Sequence, residues 1–411
     1  MTDDDLALSV SFGHDLLTDW IPDALGATDV LRGLAAGRAP GSGALAVEWL
    51  RVPLAHRREV VPVVSTAVRA RLHHATERAL RGVTAPPEVF SYRGPGWDYT
   101  TAFRRRGERL RDLAGRDDLP LVLGLDVHRF GRSLPLATVL GASWMSEQLG
   151  ALVSQLHAAA GHVVFSSHRW ANRVGGAALA PVDATLGGLV PGRWLRWADD
   201  WHVFVRDEAE ADRVREAVRE ALAALGLTLA SAKGGLRPAA TVLAGPARDV
   251  AGAPSRVWRA STREDDLRGM RFALPRLPPD PRASREVPAA VRKWPALLPR
   301  AVMYLNRAVD TTDGRAAVAE LLDGVGRDRY AAARLLALAS RYAEVADLVP
   351  DAVLELAADD LSPVGLRELA TRVAVLARRP HLAPDPTPRL RPWLSAGGHA
   401  GDSPPSVDTL L

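Results

Sequence analysis

Apolar residues cluster and alternate along this chain in patterns that mark its elements. The run Leu119-Pro-Leu-Val-Leu-Gly-Leu-Asp126, extended to Val127, is almost continuously apolar and bounded by turn residues, as in a buried strand. Between Leu195 and Val205, two short stretches rich in aromatic and β-branched residues flank Asp199-Asp200, which predicts a β-hairpin with paired acids at its tip. Asp207 then stands at an N-cap position, and Ala211, Val214, Val218, Leu222 and Leu225 step at three and four, predicting a helix that Gly226 ends. Leu227-Thr-Leu-Ala230 reads as a further strand. Upstream, residues 1 to about 85 read as mostly helical, including an Ala/Val/Arg-rich helix from Val60 to Arg81. A basic helix is expected from about Asp98 to Ala114, an amphipathic helix over residues 143–160, a polar loop or short strand over 161–170, and a small-residue helix over 171–188.

This β-α-α-ββ-α-β succession predicts an α+β fold, an antiparallel sheet with helices on one face, followed by an all-α C-terminal region. The segments are an N-terminal region 1–118, a sheet domain 119–275, a Pro/Arg-rich connector 276–299 too broken for regular structure, a helical region 300–379, and a proline-punctuated disordered tail 380–411. The C-terminal helices suit a clasp on the preceding domain's ligand or a helical partner-binding module equally well.

Composition narrows the setting. The 411 residues suffice for two or three domains, and 47% hydrophobic residues is ordinary for a globular protein. No apolar run approaches the roughly 20 residues of a membrane span. The acidic start, Met1-Thr-Asp-Asp-Asp5, is unlike a signal peptide, so a cytoplasmic location without membrane association is expected. With no cysteine, disulfides and thiolate metal sites are excluded. The net charge is +4, and Lys233 and Lys293 are the only lysines, so the basic side chains are almost all arginine. Arginine clusters at Arg104-Arg105-Arg106 with Arg109 and Arg111 suit either a solvated helix face or phosphate contacts. His128, His162, His168 and His202 match no common metal-ligand spacing.

Adjacent aspartates at a hairpin tip repel each other and carry little advantage as turn formers. A divalent cation removes the repulsion, and a further carboxylate is available in Asp126 at the end of the buried strand. Asp126, Asp199 and Asp200 are the donor set that two-metal phosphoryl transfer needs, with ions roughly 3.5–4 Å apart.

The region from about Phe90 to Leu236 resembles the palm and fingers of reverse transcriptases. Asp126-Val127-His128-Arg129-Phe130 is similar to the family's first metal-binding motif, and Trp197-Ala198-Asp199-Asp200 to its aromatic-x-Asp-Asp motif. Asn172-Arg173 through Ala180-Pro181-Val182-Asp183 resembles the helix that supports template and incoming nucleotide. Leu225-Gly226-Leu227 to Lys233 resembles the following Leu-Gly-Leu…Lys segment, and Phe90-Ser-Tyr-Arg-Gly-Pro-Gly96 the fingers element. Five motifs in the family's order are far more specific than any one.

The resemblance implies a right-hand polymerase palm and an RNA-directed DNA polymerase, or an untemplated nucleotidyltransferase. Nucleoside triphosphates and an RNA or DNA template-primer would be its partners. Mg²⁺, with Mn²⁺ as a substitute, would be held by Asp126, Asp199 and Asp200. Lys233 would sit near the triphosphate and protonate the leaving pyrophosphate, while Arg93, Phe130, Gly131 and Arg173 would line the nucleotide site. The helical C-terminal region is more like the stand-alone abortive-infection and defence-associated relatives.

The chain departs from the pattern in three places. Ser166-Ser167-His168-Arg169-Trp170 replaces the usual Gln-Gly pair, Trp197 replaces Tyr or Phe, and Gly131 stands where an aromatic normally blocks a ribose 2′-hydroxyl. Discrimination between sugars is then expected to be poor unless another bulky group such as Trp170 substitutes. The alternative these departures favour is a nucleic-acid-binding scaffold without turnover. A nucleotide cyclase would need a purine pocket and a diagnostic hairpin that the sequence lacks.

Overall fold

The structure, a computed structural model, describes residues 47–53, 58–64, 66–94, 98–164, 168–230, 235–243, 253–325, 328–358 and 366–382. The expectations for residues 1–46, for the tail beyond 382, and for Ser166, Ser167 and Lys233 lie outside the described residues. The chain divides into two units, one built from residues 67–247 and the other from 48–66 and 248–411.

Strands β1 (Val47–Pro53) and β2 (Arg58–Val64) pair in a small sheet of the second unit. This corrects the helical expectation for the segment. The β-branched Val60, Val61, Val63 and Val64 favour a strand, Pro62 disfavours a helix, and the expected helix begins only afterwards as α1 (Thr66–Ala79).

The first unit continues with α2 (Tyr99–Ala114), capped by the Asp98 side chain, which accepts the Thr101 N–H. Strand β3 (Leu121–Asp126) and the helices α3 (Phe130–Ser133), α4 (Leu136–Leu140) and α5 (Glu147–Ala160) follow. The helix expected over 171–188 is two: α6 (Arg169–Ala178) and α7 (Ala180–Leu189). Pro181 accounts for the break, because a proline fits the first turn of a helix and not its interior.

The hairpin is β4 (Trp194–Trp197) and β5 (Asp200–Val205), leading through α8 (Glu208–Ala224) to β6 (Gly235–Pro238) and α9 (Ala240–Leu243). Asp207 caps α8 by accepting the Glu210 N–H at 2.7 Å. The fourth strand is β6; Leu227–Ala230 contributes only an isolated bridge, Leu229 to Val127.

The sheet order is β4-β5-β3-β6 with antiparallel neighbours throughout. Each β-α-β unit is therefore split by a strand of the other, which puts the outgoing end of β3 beside the β4–β5 turn. One face packs on α7 and α8, where Val214, Val218 and Leu222 are buried. The opposite face is covered as well, correcting the expectation of helices on one face only: Leu110 and Leu113 of α2 bury Val122, Leu195 and Phe204. Those side chains make the second face apolar, and covering them removes that area from water at about 25 cal/mol per Å².

The second unit is helical after residue 253: α10 (Pro254–Arg263), α11 (Leu267–Ala273), α12 (Pro281–Lys293), α13 (Leu298–Ala308), α14 (Thr312–Asp323), α15 (Arg329–Ala339), α16 (Ala343–Ala346), α17 (Asp351–Ala358) and α18 (Leu366–Leu376). Its core joins Leu50, Val52, Val61 and Val63 to these helices. Two expectations change here. The sheet domain stops near residue 247 rather than 275, and the supposed connector contains α12. Asp280 caps that helix, Pro281 sits in its first turn, and the Tyr304 hydroxyl donates to the Asp280 carbonyl at 2.9 Å. Pro288 removes one helical hydrogen bond, offset by burial of Ala283, Val287 and Val291. Among the described residues, no helix is long and apolar enough to cross a membrane.

Candidate functional site

Strand pairing puts three residues in one row: Trp197 on β4 stands opposite Asp200 on β5, and Asp200 opposite Asp126 at the end of β3. Residues in register across a sheet project from the same face, with Cβ atoms of direct partners about 4.5–5.5 Å apart. Asp126 is buried, whereas Asp199 and Asp200 are half-buried. Two carboxylates in direct opposition are a pairing that strand stability alone disfavours.

Asp199 belongs to the two-residue turn between Trp197 and Asp200. Its neighbour Ala198 has φ +55°, the sign that a type II′ hairpin turn requires at its first central position and that glycine normally supplies. The turn is fixed from both sides: the Ala198 N–H donates to the Ser91 hydroxyl at 2.6 Å, and Arg196 Nη1 donates to the Ala198 carbonyl at 2.8 Å. Tyr92 and Arg129 also have positive φ, +51° and +48°, so three left-handed non-glycine residues border this end of the sheet. Such strain concentrates where the surroundings hold a functional geometry.

A pocket of about 140 Å³ opens here, lined by Ser91, Tyr92, Phe130, Gly131, Val164, Asn172, Gly176, Arg196, Ala198 and Asp199. Phe130 and Gly131 share this lining with Asp199. A Cβ on Gly131 would lie 3.3 Å from the Val164 carbonyl oxygen, which explains the missing side chain by close packing. A Cβ on Gly175 would lie 2.8 Å from the Phe130 ring, so glycine in α6 lets that ring approach the helix closely. Trp170 does not replace the sugar-blocking aromatic: it is fully buried and outside the lining. The aromatics of the lining are Phe130 and Tyr92.

The arginines divide by role. Arg173 Nε and Nη2 donate to the two oxygens of Glu77 at 2.9 and 3.1 Å, and its Nη1 donates to the Tyr92 carbonyl at 2.8 Å. Buried in this way, Arg173 holds the Tyr92 segment against α6 rather than extending toward a ligand. Arg93 is exposed on the same segment and donates to the Ala85 carbonyl at 3.1 Å, at the rim of an adjoining cleft that also contains Ser91 and Tyr92. Arg196 grips Asp183 through Nε and Nη2 at 2.7–3.1 Å, while the Trp201 indole donates to the same carboxylate at 3.0 Å. Burial raises the Asp183 pKa above the usual carboxylate value, while Arg196 and Trp201 oppose the shift.

On the carboxylate face, the N-terminal half of α2 reaches the row. Phe103 meets the Trp197 ring edge-on at 5.8 Å, and the Arg106 guanidinium lies 5.9 Å from the centre of that ring. Burial, with the charges of Arg106 and Arg237, pushes the His202 pKa down to about 4.

Carboxylates in register on neighbouring strands carry the hard oxygen donors Mg²⁺ accepts, and this ion commonly takes one or two protein carboxylates and completes its shell with water or phosphate. Among the described residues, no cluster of three or more Asp, Glu, His or Cys is close enough to hold an ion. The fit therefore rests on Asp126 and Asp200, with Asp199 in the adjoining turn.

Ser91, Tyr92 and Asn172 lie inside segments singled out from the sequence without being named as site residues, whereas Glu77 carries no sequence signal, because its contact with Arg173 is distant in sequence. Arg196 had a signal: an arginine alternating inward between Trp194 and Trp201 on buried strands needs an acid partner. No family profile matches the chain, and no curated protein matches it in sequence.

Proposed function

We propose that this end of the sheet performs nucleotidyl transfer, as in a reverse-transcriptase-like polymerase. The observation that carries the reading is the direct opposition of Asp126 and Asp200 next to a turn whose Asp199 lines a pocket with Phe130, Gly131 and Tyr92. Its support from the fold is an antiparallel sheet whose pairing sets Asp126 opposite Asp200 at the strand ends. Asp126 and Asp200 would hold Mg²⁺, which supplies charge neutralisation at the transferring phosphoryl group and activation of the attacking oxygen. Phe130 and Tyr92 would bracket the nucleoside, Asn172 and Ser91 would offer polar contacts to it, and Arg93, which lines the adjoining cleft with Ser91 and Tyr92, is the candidate contact to the triphosphate. Lys233, outside the described residues, keeps its proposed part as proton donor to pyrophosphate. A role in antiphage defence belongs to the same proposal and rests on the sequence resemblance alone.

The test is incorporation of labelled deoxyribonucleotides and ribonucleotides in Mg²⁺ or Mn²⁺, with templates supplied and withheld. Polymer that depends on a template indicates copying, and polymer without one indicates untemplated addition. Product that persists in Asp126→Asn or Asp199→Asn protein would end the proposal.

One observation favours the second reading, a binding scaffold without turnover: α2 covers much of the sheet face that carries Asp126 and Asp200. Salt-sensitive nucleic-acid binding with no product under any of these conditions would establish it.

A further inference from the structure

We propose that Phe103, Trp197 and Arg106 form a stacking site for an unpaired base of single-stranded nucleic acid, at the edge of the carboxylate row. This deepens the nucleotidyl-transfer reading by naming the form of nucleic acid accepted, and it rests on that reading only for where the strand lies relative to the carboxylates.

Three observations carry it. Phe103 is 48% exposed although it sits on the sheet-facing side of α2, three and seven residues from Arg106 and Leu110. Hydrophobic packing of this helix is completed by Leu110 and Leu113, so Phe103 projects beyond the core it borders. Second, its ring meets Trp197 at 88°, and Arg106 lies over the same indole, making an L-shaped aromatic shelf with a cation on one wall. Bases stack on such aromatics whatever their identity, and arginine adds a cation–π contribution. Third, the same helix carries Arg104, Arg105, Arg109 and Arg111 against only Glu108 and Asp112, with Arg104, Arg105 and Arg111 exposed. A polyanion complements that charge. A single strand is favoured over a duplex because only an unpaired base presents a free face to the shelf, while the arginines follow its phosphates. Gly107 has open space at its Cβ position, so the helix surface between Phe103 and Leu110 is low enough for close approach.

The experiment measures binding of labelled oligothymidylate, oligouridylate and a duplex of the same length to the full chain carrying Asp200→Asn, in Mg²⁺ and at several salt concentrations. Both single strands should bind more tightly than the duplex, and the difference between the two reports whether DNA or RNA is preferred. Adding Phe103→Ala should weaken single-strand binding about 10-fold without changing the salt dependence, whereas Phe103→Trp retains it. Arg111→Gln should lower the slope of log affinity against log salt by about 1. Unchanged affinity on Phe103→Ala, or equal affinity for duplex and single strand, overturns the proposal. Because the background protein is expected to perform no chemistry, Phe103-dependent binding alongside a wild-type protein that makes no polymer would retain this site and remove nucleotidyl transfer. Polymer synthesis without Phe103-dependent binding would do the reverse.

Discussion

The two faces of the four-stranded sheet treat their carboxylates in opposite ways. On the face packed against α7 and α8, Asp183 is matched by the Arg196 guanidinium and the Trp201 indole, all buried. On the other face, at the same end, Asp126 is set opposite a second acid, Asp200. Burial demands a partner for the first carboxylate, and the structure supplies one from the next strand. The second arrangement brings two acids into register, a pairing that strand stability alone disfavours and that would suit a bound cation. Arg196 links the two, because the guanidinium that neutralises Asp183 also holds the Ala198 carbonyl of the turn bearing Asp199.

The largest effect should come from breaking the matched side. Arg196→Met leaves Asp183 buried without its cation and frees the turn; a loss of about 3–5 kcal/mol is expected in denaturant unfolding. A loss below about 1 kcal/mol would mean that the pair contributes little and that the contrast between the faces is overstated.

Next is the pH response of the carboxylate face. His202 has a folded pKa of about 4, below the ordinary histidine value of 6.5, so the folded state disfavours its proton. Where the unfolded chain binds the proton and the folded one does not, stability rises with pH. The contribution of His202 is therefore complete above about pH 6.5 and is lost as pH falls toward 4, by roughly 1–3 kcal/mol. Unfolding of wild type and His202→Gln followed across this window checks the sign: the variant should have the flatter profile, and parallel profiles would refute the assignment.

A smaller effect is expected at the turn. Ala198→Gly relieves a left-handed backbone and should raise stability by about 1 kcal/mol, read as a shift in unfolding midpoint. A decrease would show that the turn is held without strain.

The smallest change belongs to the opposed acids themselves. Asp200→Asn should alter stability by less than about 1 kcal/mol in either direction, in contrast to Arg196→Met, when both are measured in the same denaturant series. A larger loss would give Asp200 a structural duty like that of Asp183.

Much of this division was legible in the sequence, and the rest was not for identifiable reasons. The continuous apolar run ending at Asp126 and the aromatic stretches around Asp199-Asp200 announce strands with acids at their ends, and β3, β4 and β5 fall where they indicate. The register that brings Asp126 to Asp200 is tertiary, yet follows once strand ends and connections are known. By contrast, α2 contains too few apolar residues among its arginines to reveal that Leu110 and Leu113 close the second face. Arg173 was singled out by resemblance as a nucleotide-site residue, but the partner that occupies it, Glu77, lies 96 residues away, and nothing local points to it. The Val60–Val64 strand was absorbed into the helix that follows, because a valine-rich stretch beside an alanine-rich helix gives no sharp boundary until Pro62 is weighed.

The central claim is that the opposed acids act in chemistry and the matched ones in structure. It is tested most directly by the rate of labelled-nucleotide incorporation per folded molecule in wild-type and Asp200→Asn protein, with folding verified on the same samples. Incorporation by wild type and a loss of at least about 100-fold in the variant, at nearly unchanged stability, is the predicted result. Equal rates in the two proteins, or none in the wild type under any combination of nucleotide, metal and template, would contradict it.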